Sequence, residues 1–229
     1  MSVIAIITAR GGSKRIPRKN IKNFCGEPII AYSIRAALES GIFDHVMVST
    51  DDEEIAEISR KYGAEVPFMR SAETANDFAT TRDVLEEVVR KYDEMGENIE
   101  YFCCIYPCAP FVTAKKLRDC FDYLREKEAH SVWTVVKCSP PPQRCFELVD
   151  GMIQYKYPEY NNMRSQDLEP LYHDCGQLYF YNKKDFEKGD KHVFKKIFPM
   201  YIPETEVQDI DNDTDWAIAE IKYKLMIEK

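Results

Sequence analysis

The chain has 229 residues, of which 45% are hydrophobic and 31% charged, and it carries a formal net charge of −8 at pH 7. That length predicts one domain over residues 1–229 with a substantial buried core. The acidic balance argues against nucleic acid as a partner, since nucleic-acid-binding domains are basic.

The apolar N-terminal run at 3–7 is too short to cross a membrane, and no signal-peptide core with a cleavage site follows it. We therefore expect a cytoplasmic protein that has no membrane partner. We also expect its eight cysteines to be reduced, because no two of them have the C-x-x-C spacing of a metal or redox pair.

Apolar periodicity predicts strands that alternate with helices along the chain. The predicted strands are 2–8, 45–49, 64–68, 101–106, 131–136, 177–181 and 197–202. Five helices are predicted between or after these strands. The first begins at Pro28 and is closed by Gly41, and the second is capped by Asp51 or Asp52 and ends before Gly63. The third begins at Thr80 or Thr81, the fourth covers 113–126, and the last is capped by Asp213 or Thr214. This alternation is typical of βαβ units, so we predict an α/β fold with a mostly parallel sheet covered on both faces.

The alternation is interrupted at 138–172, which begins with the run Ser139-Pro140-Pro141-Pro142. Two short apolar segments, 144–149 and 152–155, then flank Asp150-Gly151, which is a hairpin pattern with a primed two-residue turn. We predict that 138–172 is an insertion outside the main sheet.

The loop after the first predicted strand concentrates positive charge. Six basic residues and no acid lie between Arg10 and Lys22. Gly11 and Gly12 let the backbone approach an anion and turn its N–H groups toward it. Such loops lie beyond the carboxyl ends of parallel strands, where ligands bind. A triphosphate is the expected ligand, although neither P-loop nor dinucleotide spacing is present; the alternative is a solvated basic turn.

Two carboxylates near the other end of the chain are candidate metal ligands. If 207–211 is extended, Asp209 and Asp211 share one face about 7 Å apart, a span at which they can bind Mg²⁺ or, alternatively, Mn²⁺. A calcium loop is excluded because Trp216 and Lys222 stand where glycine and glutamate are needed. The alternative role is helix capping, which we expect of Asp213.

These residues resemble a known family. The segment Ala9-Arg10-Gly11-Gly12-Ser13-Lys14-Arg15-Ile16-Pro17-Arg18-Lys19-Asn20 meets every fixed position of A-R-x-x-S-K-x-x-P-x-K-N, the signature of the acylneuraminate cytidylyltransferases. That family activates nine-carbon sialic-acid-like sugars as CMP-sugars. Val48-Ser49-Thr50-Asp51, Arg70-Ser71-Ala72-Glu73 and Asp209-Ile210-Asp211 follow in the family's order, so the resemblance covers nearly the whole chain.

Three further segments resemble the pseudaminic acid branch of the family. They are Tyr106-Pro107-Cys108-Ala109-Pro110-Phe111, Arg164-Ser165-Gln166-Asp167-Leu168 and His173-Asp174-Cys175-Gly176-Gln177. Sialic acid enzymes usually read Q-P-T-S-P-L-R at the first and N-G-A at the third. Tyr106 in place of Gln and Val112 in place of Arg therefore argue against N-acetylneuraminate as the acceptor. They do not affect the expectation that the protein binds CTP.

The resemblance implies a Rossmann-like three-layer α/β/α nucleotidyltransferase fold and a homodimer formed through the lobe 138–172. It implies that CTP contacts Ala9, Arg10, Gly11, Gly12, Ser13, Lys14, Lys19, Asn20, Arg70 and Thr81. It implies that the nine-carbon acidic sugar contacts Tyr106, Arg164, Gln166 and His173, with Arg164 and Gln166 reaching the partner's pocket. Outside the resemblance, Arg70 could be a surface charge, Thr81 a helix cap and His173 a buried polar residue.

The expected reaction is attack of the sugar's anomeric hydroxyl on the α-phosphate of CTP. Arg10, Lys14, Lys19 and Asp211 are the expected catalytic residues, and Asp209 joins Asp211 in binding the metal. The alternatives are legionaminate, N-acetylneuraminate or a ketodeoxyoctonate as acceptor, a sugar-1-phosphate nucleotidylyltransferase, and a non-catalytic nucleotide-binding regulator. The carboxylate pair argues against the regulator, which has no need of a bound divalent ion.

Overall fold

The computed structural model describes residues 2–188 and 195–228, so the predicted domain 1–229 includes residues 1, 189–194 and 229, which lie outside the described part. Its strands are β1 (Ser2–Thr8), β2 (Asn23–Phe24), β3 (Glu27–Pro28), β4 (His45–Ser49), β5 (Ile99–Ile105), β6 (Ser131–Lys137), β7 (Phe146–Val149), β8 (Met152–Tyr155), β9 (Tyr172–Asn182) and β10 (Ile197–Tyr201). Its helices are α1 (Ile29–Ser40), α2 (Glu53–Lys61), α3 (Ala72–Ala75), α4 (Thr81–Glu94), α5 (Ala114–Glu126), α6 (Lys183–Lys188) and α7 (Asp213–Ile227).

Six strands form one sheet in the order β10-β6-β9-β5-β1-β4. β1 pairs in parallel with β4 and β5, and β6 pairs in parallel with β10, whereas β9 runs antiparallel between β5 and β6. The predicted α/β fold with a mostly parallel sheet is therefore confirmed. Among the helices of the described part, none is long and apolar enough to cross a bilayer.

β1 is buried on both faces because its side chains alternate between two helical layers. Val3, Ala5 and Ile7 belong to the apolar cluster shared with α1, α2 and α5, whereas Ile4 and Ile6 belong to the cluster shared with α4 and α6. A strand covered on both faces reads as a continuous apolar run, which is why the sequence predicted its bounds correctly.

The strand order opens a crevice beside β1. From β1 the chain passes to β4 on one side of it and then to β5 on the other side. The loops that follow β1 and β5 consequently diverge at the carboxyl ends of these strands. In open α/β sheets, ligands bind at such a switch point.

Two predicted features differ in the structure. Residues 64–68 form no strand, only a single bridge between Glu65 and Met47. Pro67 has no N–H to donate to a ladder, which limits this segment to a brief contact with β4. The cap of α7 is Asn212, whose side chain accepts from the N–H groups of Thr214 and Asp215, so the capping role predicted for Asp213 is wrong.

The predicted hairpin within 138–172 is present as a separate two-stranded sheet of β7 and β8. Asp150 and Gly151 both have positive φ angles, 52° and 78°, as a primed turn requires. Cross-strand pairing puts Phe146, Leu148, Ile153 and Tyr155 on one face, and all four are exposed. The role of this lobe as a separate dimerisation unit stays a prediction.

All eight cysteines carry free thiols in the structure. Cys103, Cys104 and Cys120 are fully buried and pack as small apolar groups in the core. Burial raises the pKa of the Cys104 and Cys120 thiols to about 12, so they remain protonated and unreactive near neutral pH.

We expect the Phe180→Ala substitution to lower the free energy of unfolding by about 3–5 kcal/mol, because it leaves a cavity in the core. Phe180 is fully buried, and its ring contacts Phe43 and Phe121 at centroid distances of 5.9 Å and 5.7 Å. Urea unfolding followed by circular dichroism measures the change. Phe78, which is 92% exposed, supplies the control: Phe78→Ala should change stability by less than about 0.5 kcal/mol. Equal losses in the two variants would contradict the assigned core.

Candidate active site

A cavity of about 410 Å³ lies at the carboxyl ends of β1 and β5. It brings the basic N-terminal loop together with the segment that precedes α7, although these are far apart in the sequence. Its lining includes the predicted residues Arg10, Ser13, Lys14, Lys19, Asn20, Tyr106, Asp209 and Asp211. The cations and the carboxylate pair therefore face one space.

A shared apolar cluster anchors both sides of this cavity. Ile16 and Ile210 are 1% and 2% exposed and pack in one cluster with Phe24 and Trp216. Ile16 directly follows Arg15, and Ile210 stands between Asp209 and Asp211. Burying the isoleucines therefore holds the flanking charges at the cavity wall.

Polar contacts also join the two segments. Lys19 Nζ donates to the carbonyl oxygen of Ile210 over 2.7 Å, and Arg15 Nη2 lies 2.7 Å from Asp211 Oδ1. Asn20 is buried, and its side-chain amide donates to the carbonyl oxygen of Arg10 over 2.9 Å, which closes the loop on itself.

Gly11 is required by a close approach to the start of α2. A Cβ atom on Gly11 would lie 2.8 Å from Asp52 Oδ2, whereas one on Gly12 would meet nothing within 4 Å. The N–H of Gly11 donates to Asp51 Oδ1. Ala9 is fully buried beneath the loop, and neither it nor the two glycines line the cavity, so their contacts with a nucleotide stay predictions.

A second cavity, of about 480 Å³, adjoins the first and shares Arg10 and Tyr106 with it. Arg70 and Thr81 line this second space. Arg70 is only 9% exposed and donates to the hydroxyl and carbonyl oxygens of Ser49, and desolvation lowers the pKa of its guanidinium. The alternative that Arg70 is a surface charge is therefore wrong.

Thr81 is not the cap of α4. Thr80 is the cap, since its hydroxyl accepts from the N–H of Asp83 in a capping box. The hydroxyl of Thr81 is instead hydrogen-bonded to the hydroxyl of Tyr106 at 3.2 Å. Thr81 is thus available to the cavity rather than committed to the helix terminus.

The carboxylate pair has the chemistry of a magnesium site. Asp209 is exposed, Asp211 is half-buried, and both line the cavity beside the cations that are predicted to bind phosphate. Within residues 2–188 and 195–228, no group of three or more His, Cys, Asp or Glu could hold a metal. Mg²⁺ is often held by only one or two carboxylates together with phosphate oxygens and water, so this donor set fits it.

Three residues hold the carboxylate segment in place, and the sequence did not predict this role for them. Lys116 Nζ lies 2.7 Å from Glu206 Oε2, Gln177 Nε2 donates to the carbonyl oxygen of Glu206, and Lys222 Nζ donates to the carbonyl oxygen of Val207. No sequence signal identifies these contacts, since each residue comes from a different element. The segment 207–211 itself is irregular and forms no strand in the structure.

The sequence also did not predict that Asp77 contacts the basic loop. Its carboxylate lies 2.9 Å from Arg10 Nη1 and 2.6 Å from Lys14 Nζ. These hydrogen bonds, above all the one from Lys14, lower the pKa of Asp77. Two of the predicted phosphate-binding cations are therefore paired with an acid in the structure.

The predicted acceptor residues are not gathered in one place. Tyr106 lines both cavities, and burial raises the pKa of its phenol. His173 is exposed, which excludes the buried-polar alternative, and it lines a third space of about 340 Å³ that also includes Asp209. Arg164 and Gln166 are exposed on the inserted lobe, where Arg164 pairs with Asp167 at 2.8 Å.

Comparison with known proteins gives a consistent picture. Residues 4–198 match the family described as cytidylyltransferase. The chain is 38% identical over 227 residues to a pseudaminic acid cytidylyltransferase of Campylobacter jejuni subsp. jejuni, covering 98% of this chain and 97% of that protein. It is 30% identical over 227 residues to a CMP-N,N'-diacetyllegionaminic acid synthase of Legionella pneumophila, covering 96% and 95%.

A solved structure shares the fold. The CMP:2-keto-3-deoxy-manno-octonic acid synthetase complexed with CTP aligns with a TM-score of 0.71 and covers 100% of both chains. Its sequence identity is 15%, so this similarity concerns the fold alone. The Rossmann-like layered architecture expected from the sequence agrees with it.

Proposed function

The chain belongs to the cytidylyltransferase family, and we propose that it transfers CMP from CTP to the anomeric hydroxyl of a nonulosonic acid, namely pseudaminic acid, with release of pyrophosphate. The observation that carries this proposal is the single cavity shared by Arg10, Lys14, Lys19 and the Asp209/Asp211 pair. The choice of acceptor rests on similarity to pseudaminic acid cytidylyltransferases over nearly the full length of the chain.

In the proposed mechanism, Arg10, Lys14 and Lys19 bind the phosphates of CTP. Asp209 and Asp211 would hold Mg²⁺, or Mn²⁺ in its place, which when bound neutralises phosphate charge. Arg70 and Thr81 would recognise cytosine in the adjoining space, with Asn20 near the ribose. Catalysis then consists mainly of positioning and charge neutralisation, as is usual for such transfers.

The chemical step is an in-line displacement. The anomeric oxygen forms a bond to the α-phosphorus while the bond from that phosphorus to the bridging oxygen of the β-phosphate breaks. Arg10 and Lys14 stabilise the charge that grows on the departing pyrophosphate. The proton of the hydroxyl passes to a carboxylate of the pair, for which Asp211 is our candidate because it is the less exposed of the two.

The experiment is product analysis. The purified protein is incubated with CTP, Mg²⁺ and, separately, pseudaminic acid, legionaminic acid, N-acetylneuraminic acid and a ketodeoxyoctonate, and the products are identified by mass spectrometry. We expect CMP-pseudaminic acid and pyrophosphate. A CMP ester of another acid would change the acceptor. A further incubation with CTP and a sugar 1-phosphate tests the alternative reaction, which would form a nucleoside diphosphate sugar. If no incubation gives a product and calorimetric titration shows that CTP binds, the protein is a nucleotide-binding regulator.

We also propose that the protein is a homodimer that forms through the lobe 138–172 and works in the cytoplasm, where CTP is used. Support for the dimer comes from the hairpin face of Phe146, Leu148, Ile153 and Tyr155, which are 53%, 76%, 67% and 39% exposed. An isolated two-stranded hairpin is marginally stable, and an exposed apolar face of this kind marks an interface. Arg164 and Gln166 follow this hairpin on the same lobe and would reach the acceptor site of the second copy.

The double variant Leu148→Glu/Ile153→Lys tests the dimer. The two positions pair directly across the strands, so the new side chains have opposite charges that support the hairpin and leave the net charge unchanged. We expect sedimentation to show a monomer that still binds CTP but has lost most acceptor turnover. Glu147→Gln, on the opposite face, is the control and should remain dimeric. A dimeric, fully active double variant would contradict the proposed interface.

A further inference from the structure

Asp77 forms ion pairs with two of the cations that the proposed function assigns to the triphosphate. One of its carboxylate oxygens lies 2.9 Å from Arg10 Nη1 and the other lies 2.6 Å from Lys14 Nζ. Two oxygens on one acid thus engage two cations, which is the arrangement that a phosphate group would make with the same side chains. Asp77 and a bound polyphosphate therefore compete for Arg10 and Lys14.

The contact is one that a polyanion can displace. The side chains of Arg10, Lys14 and Asp77 are 41%, 78% and 49% exposed, and exposed ion pairs of this kind contribute little to stability. A polyphosphate carries several negative charges and can contact Lys19 at the same time, whereas Asp77 carries one. The exchange is thus favourable whenever the nucleotide is present at sufficient concentration.

Apart from its ion pairs, the segment that carries Asp77 is held by a hydrogen bond from Arg10 to the carbonyl oxygen of Asn76 and by local hydrogen bonds of Asn76. It lies between α3 and α4, where the side chain of Asn76 accepts from the N–H groups of Phe78 and Ala79 in a local turn. The neighbouring Phe78 is 92% exposed, so it does not anchor this turn in the core. Asp77 can therefore leave the cations without unpacking apolar residues.

We propose that Asp77 is an internal competitor of the polyphosphate: it neutralises Arg10 and Lys14 in the free protein, is displaced when CTP binds, and returns when pyrophosphate leaves. The inference rests on the proposed function and extends it, because it names a residue that weakens polyphosphate binding. Its consequence is that the loop binds CTP less tightly than its cations alone would allow, and that the product pyrophosphate is released more readily.

The test compares three proteins by calorimetric titration with inorganic tripolyphosphate in the absence of divalent cations. They are the wild type, Asp77→Asn, and Glu57→Gln, a control with the same change in net charge at an exposed position on α2. We expect Asp77→Asn to bind tripolyphosphate roughly three- to tenfold more tightly than the other two proteins, since it removes two exposed ion pairs. Inhibition by pyrophosphate should strengthen by a similar factor.

The outcomes separate this inference from the function on which it rests. If Asp77→Asn binds tripolyphosphate as the wild type does, or more weakly, the competitor role is wrong, and weaker binding would make Asp77 a residue that orients the cations. If Glu57→Gln binds tripolyphosphate more tightly by the same factor, the gain comes from net charge alone, and the proposal is wrong. If the wild type makes a CMP-sugar in the same preparation, these results leave the proposed function standing. If no protein binds tripolyphosphate and the wild type makes no CMP-sugar, both the competitor role and the proposed function fail.

Discussion

Replacing Asp211 by asparagine is expected to lower the rate of CMP transfer by about 10²–10³ while the protein folds normally. Asparagine keeps the shape of the side chain but removes the negative charge that would hold the divalent ion against the phosphates. Folding should be unaffected because the pair that Asp211 forms with Arg15 is exposed, with side-chain exposures of 39% and 69%.

The measurement is pyrophosphate release as a function of Mg²⁺ concentration, with circular dichroism as a check on folding. Asp213→Asn is the matched control, since Asp213 is two positions away, has a side chain that is 84% exposed and does not line the cavity. The control should retain nearly full turnover and its usual Mg²⁺ requirement. Near-normal turnover of Asp211→Asn would remove the metal role from this residue.

The Lys14→Ala substitution is expected to reduce kcat/KM by a similar factor, about 10²–10³, because it deletes a charge that in the proposed mechanism would face the leaving pyrophosphate. Lys14 lines the cavity, and its side chain is 78% exposed, so little packing is lost with it. The loss should appear in kcat as well as in the apparent affinity for CTP, since charge develops on the leaving group during the reaction.

Steady-state kinetics with varied CTP separates these two effects for Lys14→Ala. The control is Lys22→Met on the same loop, because Lys22 lies outside the cavity, 3.0 Å from Asp213 and over the ring of Trp216. A variant of Lys14 that raises only KM would indicate that the side chain binds CTP without assisting the chemical step. A variant with unchanged kinetics would exclude Lys14 from the site.

Much of the fold could be predicted because the sequence carries local signals for it. β1 and β4 were predicted at their observed bounds, and the turn at Asp150-Gly151 specified the hairpin. The antiparallel direction of β9 and its place between β5 and β6 could not be predicted, since strand order depends on contacts between distant segments. The failure at 64–68 has the same origin: apolar composition indicates burial, but pairing requires a partner along its full length.

The candidate site could be predicted only where a pattern of residue types indicates a particular chemistry. Clustered cations beside glycines indicated an anion site, and an Asp-x-Asp segment indicated a metal. Counter-ions and supports carry no such signature, because Asp77, Lys116 and Lys222 look like ordinary surface charges in the sequence. Their roles follow only from tertiary contacts with Arg10, Glu206 and Val207.

The joining of the first loop to the segment before α7 bears on how the protein is made. During translation, β1 and its basic loop leave the ribosome long before Asp209 and Asp211. Lys19 and Ile210, which are hydrogen-bonded in the folded protein, are 191 positions apart in the sequence. Contacts that link such distant positions are slow to form because a large loop must close first. A nascent chain therefore cannot complete the candidate site before Asp209 and Asp211 have been synthesised, and a chain that stops short of them would keep the strands of the sheet but lack the carboxylate pair.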